Sequence, residues 1–426
     1  MKRFQFLLTI LYPFCVSTRH DDYRLFVEEG KLWYTRGNMR QLKLFQTIFI
    51  ILLFPVQLLV AQESNSFTIH VENVETGEAL PFAQVYRGGK NLTMTNFDGD
   101  FSIKGSPTDS ICITCFGYKP INKAIKDLGL VVQMEMLTTM MHEVTIRPIE
   151  YWLIKASKKL RREYRRHQFK KARYFYRERM KHDSISSLIE AFVDANSAVN
   201  LRHLYMRTGR QMGAKWKTSE LWLNSQVGVM TKGVKYWKEH GPLISPLSSD
   251  ASEEFYKKYY NITYKILDDS RGGRIYQIHF QKKKDNTRQS IITGFLFLDA
   301  ETLSPLVMHG HIENVEVWTG GNRHFLIQNC KVSLHLEYTH VNGFSEVSNI
   351  TTFCVVAKGL TNRTTLFRLE KEISRDEINF RGSELGPKET IVKHVNSVGY
   401  DSAFWASHQI IKQTAEERFI ATSGLK

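Results

Sequence analysis

Hydrophobic and polar positions change rhythm several times along this chain, and each change predicts a different element. Leu44 to Val60 is nearly all apolar, follows the short basic stretch Met39-Arg40-Gln41-Leu42-Lys43, and gives way after Ala61-Gln62 to Glu63-Ser64-Asn65-Ser66. Charge, apolar core and small residue in that order predict a secretory signal over 39–61. The rival is a transmembrane anchor, but the run is short and Pro55 and Gln57 interrupt it. No cysteine follows it directly, which argues against a lipid-modified N-terminus. Residues 1–38 carry their own apolar run, Phe4 to Val16, and read as an upstream mis-start with translation beginning at Met39.

From Phe67 the period becomes two. Phe67 to Val71, Ala83 to Tyr86, Phe101 to Ile103, Ser110 to Phe116 and Leu130 to Met136 alternate, with turn signals at Thr76-Gly77-Glu78, Gly88-Gly89 and Phe97-Asp98-Gly99-Asp100. Close-spaced short strands over 67–147 predict a small β-sandwich. Residues 150–182 read as a basic linker helix, with Leu153, Leu160 and Tyr164 as a narrow apolar stripe. Residues 183–426 read as a β-rich domain. Tyr264 to Leu267, Ile275 to Phe280, Phe295 to Leu298, Val307 to Trp318, Phe325 to Val341 and Val347 to Val356 predict long hairpin-linked strands, hence a curved antiparallel sheet. Residues 361–426 are more helical, with Asp401 to Phe419 as the best helix. The fold class is therefore mainly β (α+β): a sandwich, a basic helix, then a curved sheet with helices.

Charge sharpens this picture at one place. The chain carries a net charge of +15, and Lys155 to His182 hold thirteen Lys/Arg against Glu163 and Glu178. That segment accounts for the net charge of 62–426 and the remainder is balanced, which argues against nucleic acid as a partner. Lys158, Lys159, Arg161, Arg162, Arg165, Arg166, Lys170 and Lys171 suit either a solvated linker or contact with anionic lipid, lipopolysaccharide or an acidic partner.

Other candidate chemistry is sparse. Cys112 and Cys115 have CxxC spacing, but on a strand they point to opposite faces, so buried thiols are the better reading. His309, His311 and Glu313 share one face of a strand and are weak metal candidates, because three residues on one flat strand converge badly. No HExxH, G-x-S-x-G or phosphate loop occurs, so neither an enzyme nor a cofactor is indicated. The cluster Phe255, Tyr256, Tyr259, Tyr260 and Tyr264, with Trp216, Trp222 and Trp237, suits either core packing or a carbohydrate or lipid platform.

TGEALPFAQVY at 76–86, TNFDGDFSI at 95–103, CFGYK at 115–119 and HEVTI at 142–146 resemble the carboxypeptidase-like regulatory domain of Bacteroidetes envelope proteins. The same transthyretin-like module stands ahead of the plug in TonB-dependent receptors, and the resemblance implies no peptidase activity. Ala172 to Glu178, Ile189-Glu190-Ala191, Arg207 to Arg210, Thr293 to Asp299, Tyr400 to Trp405 and Thr414 to Glu417 resemble one group of these proteins. That group is similar to the half-barrel of lipoprotein-sorting proteins, whose concave side holds apolar ligands. The resemblance implies a non-enzymatic binding or assembly protein in the periplasm or at the outer membrane. It would dock through its sandwich to an outer-membrane protein and offer the sheet to a lipid, glycan or protein. The alternative is a periplasmic hydrolase of peptide or glycan.

Overall fold

The computed structural model describes residues 26–28, 31–33, 66–137, 148–167, 171–196, 205–215, 244–248, 251–268, 273–284, 290–317, 327–341, 343–355, 359–369, 383–384, 391–397 and 402–423. The chain falls into two units, 1–64 and 65–426. In the first, β1 (Phe26–Glu28) pairs with β2 (Lys31–Trp33) as an antiparallel hairpin. The signal expected at 39–61 and the HEVTI stretch lie outside the described residues.

The second unit begins with the sandwich. One sheet has the order β6-β3-β9, from β3 (Ser66–Asn73), β6 (Asp100–Lys104) and β9 (Val131–Met134). The other has the order β5-β4-β7-β8, from β4 (Gln84–Arg87), β5 (Lys90–Met94), β7 (Ser110–Thr114) and β8 (Ile121–Ala124). The period-two pattern does what it predicted. Ile69, Val71, Phe101, Ile103, Val132 and Met134 meet Val85, Ile111 and Ile113 in one apolar core. The Asp98-Gly99 turn is held by the Asn96 side chain, whose Oδ1 accepts from the backbone N–H of Asp98 and of Asp100, both at 2.9 Å. Gly99 sits at φ +78°, and a Cβ there would stand 2.7 Å from the Val71 carbonyl, so only glycine fits.

Next come α1 (Ile149–His167) and an antiparallel sheet of eleven strands among the described residues. In chain order its strands are β10 (Lys171–His182), β11 (Ile185–Asn196), β12 (Tyr205–Gly213), β13 (Tyr260–Asp268), β14 (Arg274–Lys282), β15 (Ile292–Asp299), β16 (Pro305–Val317), β17 (Ile327–Val341), β18 (Phe344–Val355), β19 (Leu360–Arg368) and β20 (Ser383–Glu384). In space they run β13 to β19 as a meander, then β10, β11, β12 and β20, so the first long strand pairs with one almost two hundred residues later. Among the described residues the other helices are α2 (Glu253–Tyr259), α3 (Ile391–Ser397), α4 (Ser402–Ser407) and α5 (Ala415–Ser423). The architecture is mainly β, with the sandwich, the basic helix and the large sheet in the expected order.

Two helices and one strand differ from expectation, the strand being β19, which opens the 361–426 stretch expected to be more helical and pairs with both β18 and β10. The basic helix over 150–182 stops at His167, and 171–182 is β10 near the middle of the sheet. Dense Lys/Arg had hidden an alternation in which Tyr174 and Tyr176 point to one face and Phe175, Arg177 and Arg179 to the other. The single helix expected over 401–419 is two. Thr414 and Glu417 form a capping box: the Glu417 N–H donates to Thr414 Oγ1 at 3.2 Å and the Thr414 N–H to Glu417 Oε2 at 3.0 Å. That reciprocal pair starts a new helix at Ala415.

The sheet's two faces bury different partners. On the first, Tyr174, Tyr176, Ile189, Ile278, Leu296, Met308, Leu334 and Leu366 pack against Ile149, Leu153, Ala156 and Leu160 of α1 and Tyr256 of α2. On the second, Phe175, Phe192 and Phe367 lie under Met94 of the sandwich and under Trp405 and Ile411. Further along that face, Ile275, Phe297 and Val307 pack against Phe116 of the sandwich.

Where β15 meets β16, Gly294 faces Gly310. A Cβ on Gly310 would stand 1.8 Å from the Thr293 carbonyl oxygen, so neither strand has room to accept it. Gly310→Ala is expected to cost at least about 2 kcal/mol through overpacking, read as a lower urea midpoint at unchanged m-value.

Candidate functional site on the second face of the sheet

Register alone places one row of side chains across this face. His279 pairs with Phe295, Phe295 with His309, His309 with His335, His335 with Thr351, and Thr351 with Thr365. Thr365 then pairs with Arg177, Arg177 with Glu190 and Glu190 with Arg210. The row is imidazole and aromatic at one end and ionic at the other. The C-terminal segment, with the sandwich beside it, covers the ionic end, and the imidazole end is left open.

At the covered end Glu190, 1% exposed, lies between two guanidinium groups. Arg177 Nε donates to its Oε1 at 2.8 Å and Arg210 Nε to its Oε2 at 2.8 Å. Arg177 reaches onward to the carbonyls of Ile411 and Lys412 and to Glu417, 3.3 Å away. Glu416 binds Arg179 and, at 3.0 Å, Lys181, while Asp194 binds Arg173 and Arg207. The Arg210 guanidinium lies 4.5 Å over the Trp405 ring. Burial pushes the Glu190 carboxyl up, but the Arg177 and Arg210 charges outweigh it and hold it below its ordinary range. Gly209 in the same stretch leaves room for α3, since its Cβ would meet Val395 at 2.7 Å.

The sandwich is clamped here by its own signature segments. Phe82, at φ +68° where a bulky residue is rarely found, sets its ring 5.0 Å from Phe97 and 5.3 Å from His335. Arg363 lies 3.6 Å over the Phe97 ring. Gln84 donates to Glu337 and Ser348, Asn91 to the Arg368 carbonyl, and Thr93 to the Ile410 carbonyl. Lys412 binds Asp100 at 2.7 Å, and Asp100 also binds His70 at 2.8 Å. Phe116 meets Phe297 at 4.6 Å.

At the open end lies a groove of about 630 Å³, lined by His279, Gln281, Thr293, Phe295, His309, His311 and Ser333 among others. His279 and Phe295 stack at 4.4 Å and 12°, with His309 5.4 Å further on and His335 6.5 Å beyond that. Burial, and then the neighbouring His335, lower the His309 pKa below its ordinary value. His309 and His311 thus share the expected face and line one groove, with His311 Nε2 3.1 Å from Thr293 Oγ1. The Glu313 side chain lies outside the described residues. Among the described residues no cluster of His, Cys, Asp and Glu is arranged to hold a metal ion.

The other sequence candidates fall elsewhere. Cys112 and Cys115 are free and only partly exposed, and burial pushes the Cys115 thiol up to about 12. Tyr256 and Tyr260 are core residues with Phe255, Tyr259 and Tyr264 packed around them, whereas Trp216, Trp222 and Trp237 lie outside the described residues. On α1, Lys158, Arg161, Arg162, Arg165 and Arg166 are exposed. Lys159 turns inward to the Thr302 carbonyl and Ser304 Oγ. Lys170 lies outside the described residues, and Lys171 opens β10. Sequence reading missed the ionic row and the groove, although Glu190, Arg210 and Phe295 all stood in stretches it singled out. Their alternation phase was the available signal.

No family model matches the sequence, and no curated protein matches it. Among solved structures, the chain is similar to a LolA-superfamily protein of Nitrosomonas europaea at 8% identity and a TM-score of 0.19, over 52% of this chain and 96% of that one. It is also similar to a DUF1329-family protein of Desulfovibrio piger at 10% identity and a TM-score of 0.18, over 52% and 95%. Similarities this distant carry no argument about ligand or activity, which rests on the geometry above.

The ionic row sets an acid limit. A carboxyl held below its ordinary 4.5 contributes stability that is present above that value and lost as pH falls through the lower folded-state pKa. Glu416 and Asp100 are held low in the same sense, the first by Lys181 and Arg179 and the second by Lys412 and His70, each against its own burial. Stability is therefore expected to drop below about pH 4.5. Glu190→Gln, which leaves two guanidiniums without their shared anion, is expected to cost about 3 kcal/mol at pH 7 and to flatten that acid limb. Denaturant midpoints measured against pH check both.

Proposed function

We propose that this chain is a non-enzymatic binding or assembly protein of a bacterial cell envelope, holding its ligand in the open groove on the second face of the large sheet. The observation that carries this reading is the groove itself. Its volume of about 630 Å³ falls in the range of small-molecule sites. Stacked rings run along it and amide, hydroxyl and imidazole groups edge it, which suits an amphipathic molecule such as a glycan or a lipid headgroup. The signal pattern at 39–61 and the resemblance of 67–147 to a carboxypeptidase-like regulatory domain support export to the periplasm or the outer membrane's inner side. Among the described residues no helix is long and apolar enough to cross a membrane.

Docking through the sandwich would use its free side, because β4, β5 and the Asn96–Asp100 turn are taken up by the large sheet. On that free side Val74, Leu130, Val131 and Met136 expose apolar surface beside β9, an edge strand of its sheet. An edge strand with apolar neighbours suits strand addition by an outer-membrane protein partner. The second reading, a hydrolase of peptide or glycan, would draw on His279, His309 and His311. Among the described residues none of the three is hydrogen-bonded to a carboxylate that would orient it as a base.

Protein purified from the periplasm and sprayed intact into a mass spectrometer is expected to carry an extractable adduct. Solvent extraction recovers a lipid and aqueous extraction a glycan. A Phe295→Ala, Thr293→Val double variant is expected to lose at least about tenfold in occupancy while its urea midpoint still shows a folded chain. An adduct-free wild type that cleaves peptide or glycan substrates, and stops when His309 is replaced, would move the assignment to the hydrolase.

A further inference from the structure

We infer that the exposed side of α1 docks on an anionic phospholipid bilayer and seats the protein with its groove turned away from that membrane. The inference does not depend on what fills the groove.

At 100° per residue, Lys155, Lys158, Arg161, Arg162, Arg165 and Arg166 fall within an arc of about 140°, and all six are exposed. Ile149, Leu153, Ala156, Leu160 and Glu163 occupy the opposite side and are buried. Glu163 is the only acidic residue between Tyr151 and His167, and it is turned into the fold, where it accepts from the Ser345 N–H at 3.0 Å. The outward arc therefore holds no anion, and besides its six cations it carries only the half-buried Tyr151 and Ile154, over about 16 Å of helix.

This helix is not a tether. Its inner side belongs to the main core, and it is pinned at two further points. Lys159 Nζ reaches Thr302 and Ser304 between β15 and β16, and Glu163 holds the start of β18. The charges are thus presented on a fixed surface. Lys159, counted with them from sequence, is withdrawn.

Charge complementarity selects an anionic partner, and the aromatic end selects a bilayer among such partners. Tyr151 falls inside the same arc, half-buried, with the Lys155 Nζ 4.6 Å from its ring, whereas Trp152 turns towards the core and stacks on Tyr276. Tyrosine and tryptophan favour the headgroup region, where a ring with an apolar body and a polar tip is best solvated. A straight cationic stripe ended by such a ring fits a plane of phosphates. Because α1 packs on the first face of the sheet and His279, Phe295 and His309 line the second, a bilayer lying on α1 leaves the groove open to the aqueous side.

The test is co-sedimentation of the full chain with vesicles of phosphatidylcholine alone, or of an equal mixture with phosphatidylglycerol. Binding is expected only to the mixture and is expected to fall away in high salt, since screening weakens such contacts. Replacing Lys158, Arg161, Arg162 and Arg165 together with Gln is expected to lower the partition coefficient at least about 100-fold. Exchanging Lys and Arg at the same four positions is expected to preserve binding. Lys159→Gln, checked for folding, is expected to bind as wild type does. Hydrogen exchange on vesicles is expected to protect 149–167 and leave 292–299 unchanged. Protection at 292–299 instead, equal binding to neutral vesicles, or recovery of binding only with an acidic protein or lipopolysaccharide would each overturn the inference.

Discussion

The second unit is organised around one carboxylate. Glu190 sits out of water between Arg177 and Arg210, and through Arg177 the arrangement extends to Glu417 and the carbonyls of 411–412. Taking three or four charges from water costs several kcal/mol each and is offset only when every partner is in place. The assembly is therefore conditional: β10, β11, β12 and the C-terminal segment must all arrive before any of them is stable there. That condition explains why stretches far apart in sequence meet at one spot. The same C-terminal segment also joins the sandwich, whose Asp100 holds Lys412 and whose Thr93 holds the Ile410 carbonyl.

Alternation on a strand made much of this legible, and charge obscured the rest. Most of the sandwich could be read because its short strands carry apolar residues at every second position and the turns carry Gly, Asn and Asp, whereas β8, Ile-Asn-Lys-Ala, lacks that pattern. The meander from β13 to β18 was legible for the same reason, whereas β19 fell in a stretch whose composition read as helical. β10 was not, because Arg173, Arg177 and Arg179 look like a solvated face until paired with Glu190, Asp194 and Glu416, which lie on other elements. A buried charge looks like an exposed one from sequence alone, since the partner that permits burial is named elsewhere in the chain. The break between α4 and α5 is a different failure. The Thr-x-x-Glu box at 414–417 states a helix start, but the apolar spacing across 404–415 is also consistent with a single helix.

The large sheet divides its work between faces in a way that single residues could not reveal. One face is given over to an apolar core closed by α1, and the other is shared by the sandwich and an open groove. Phe82 marks the border. Its left-handed backbone carries a ring onto His335, so the ring series that starts at His279 in the groove continues to Phe97 and Arg363 beneath the sandwich. The open half and the covered half are one continuous surface, and the sandwich decides how much of it solvent reaches.

Register protects this division. A slip of one residue between any two central strands would move every side chain to the other face. For β10 against β11 it would carry Arg177 and Arg179 into the core beneath α1 and turn Tyr174 and Tyr176 out under the sandwich. Guanidiniums in that apolar core would lack the carboxylates they need, and the tyrosines would meet Glu190 and Asp194 with no cation to neutralise them. An all-apolar sheet would tolerate such a slip far better, since either face would serve. The ionic row contributes less to net stability than its many contacts suggest, because burial of the charges offsets most of their attraction. Its larger effect is on which register is accessible, and hence on whether the groove forms at all.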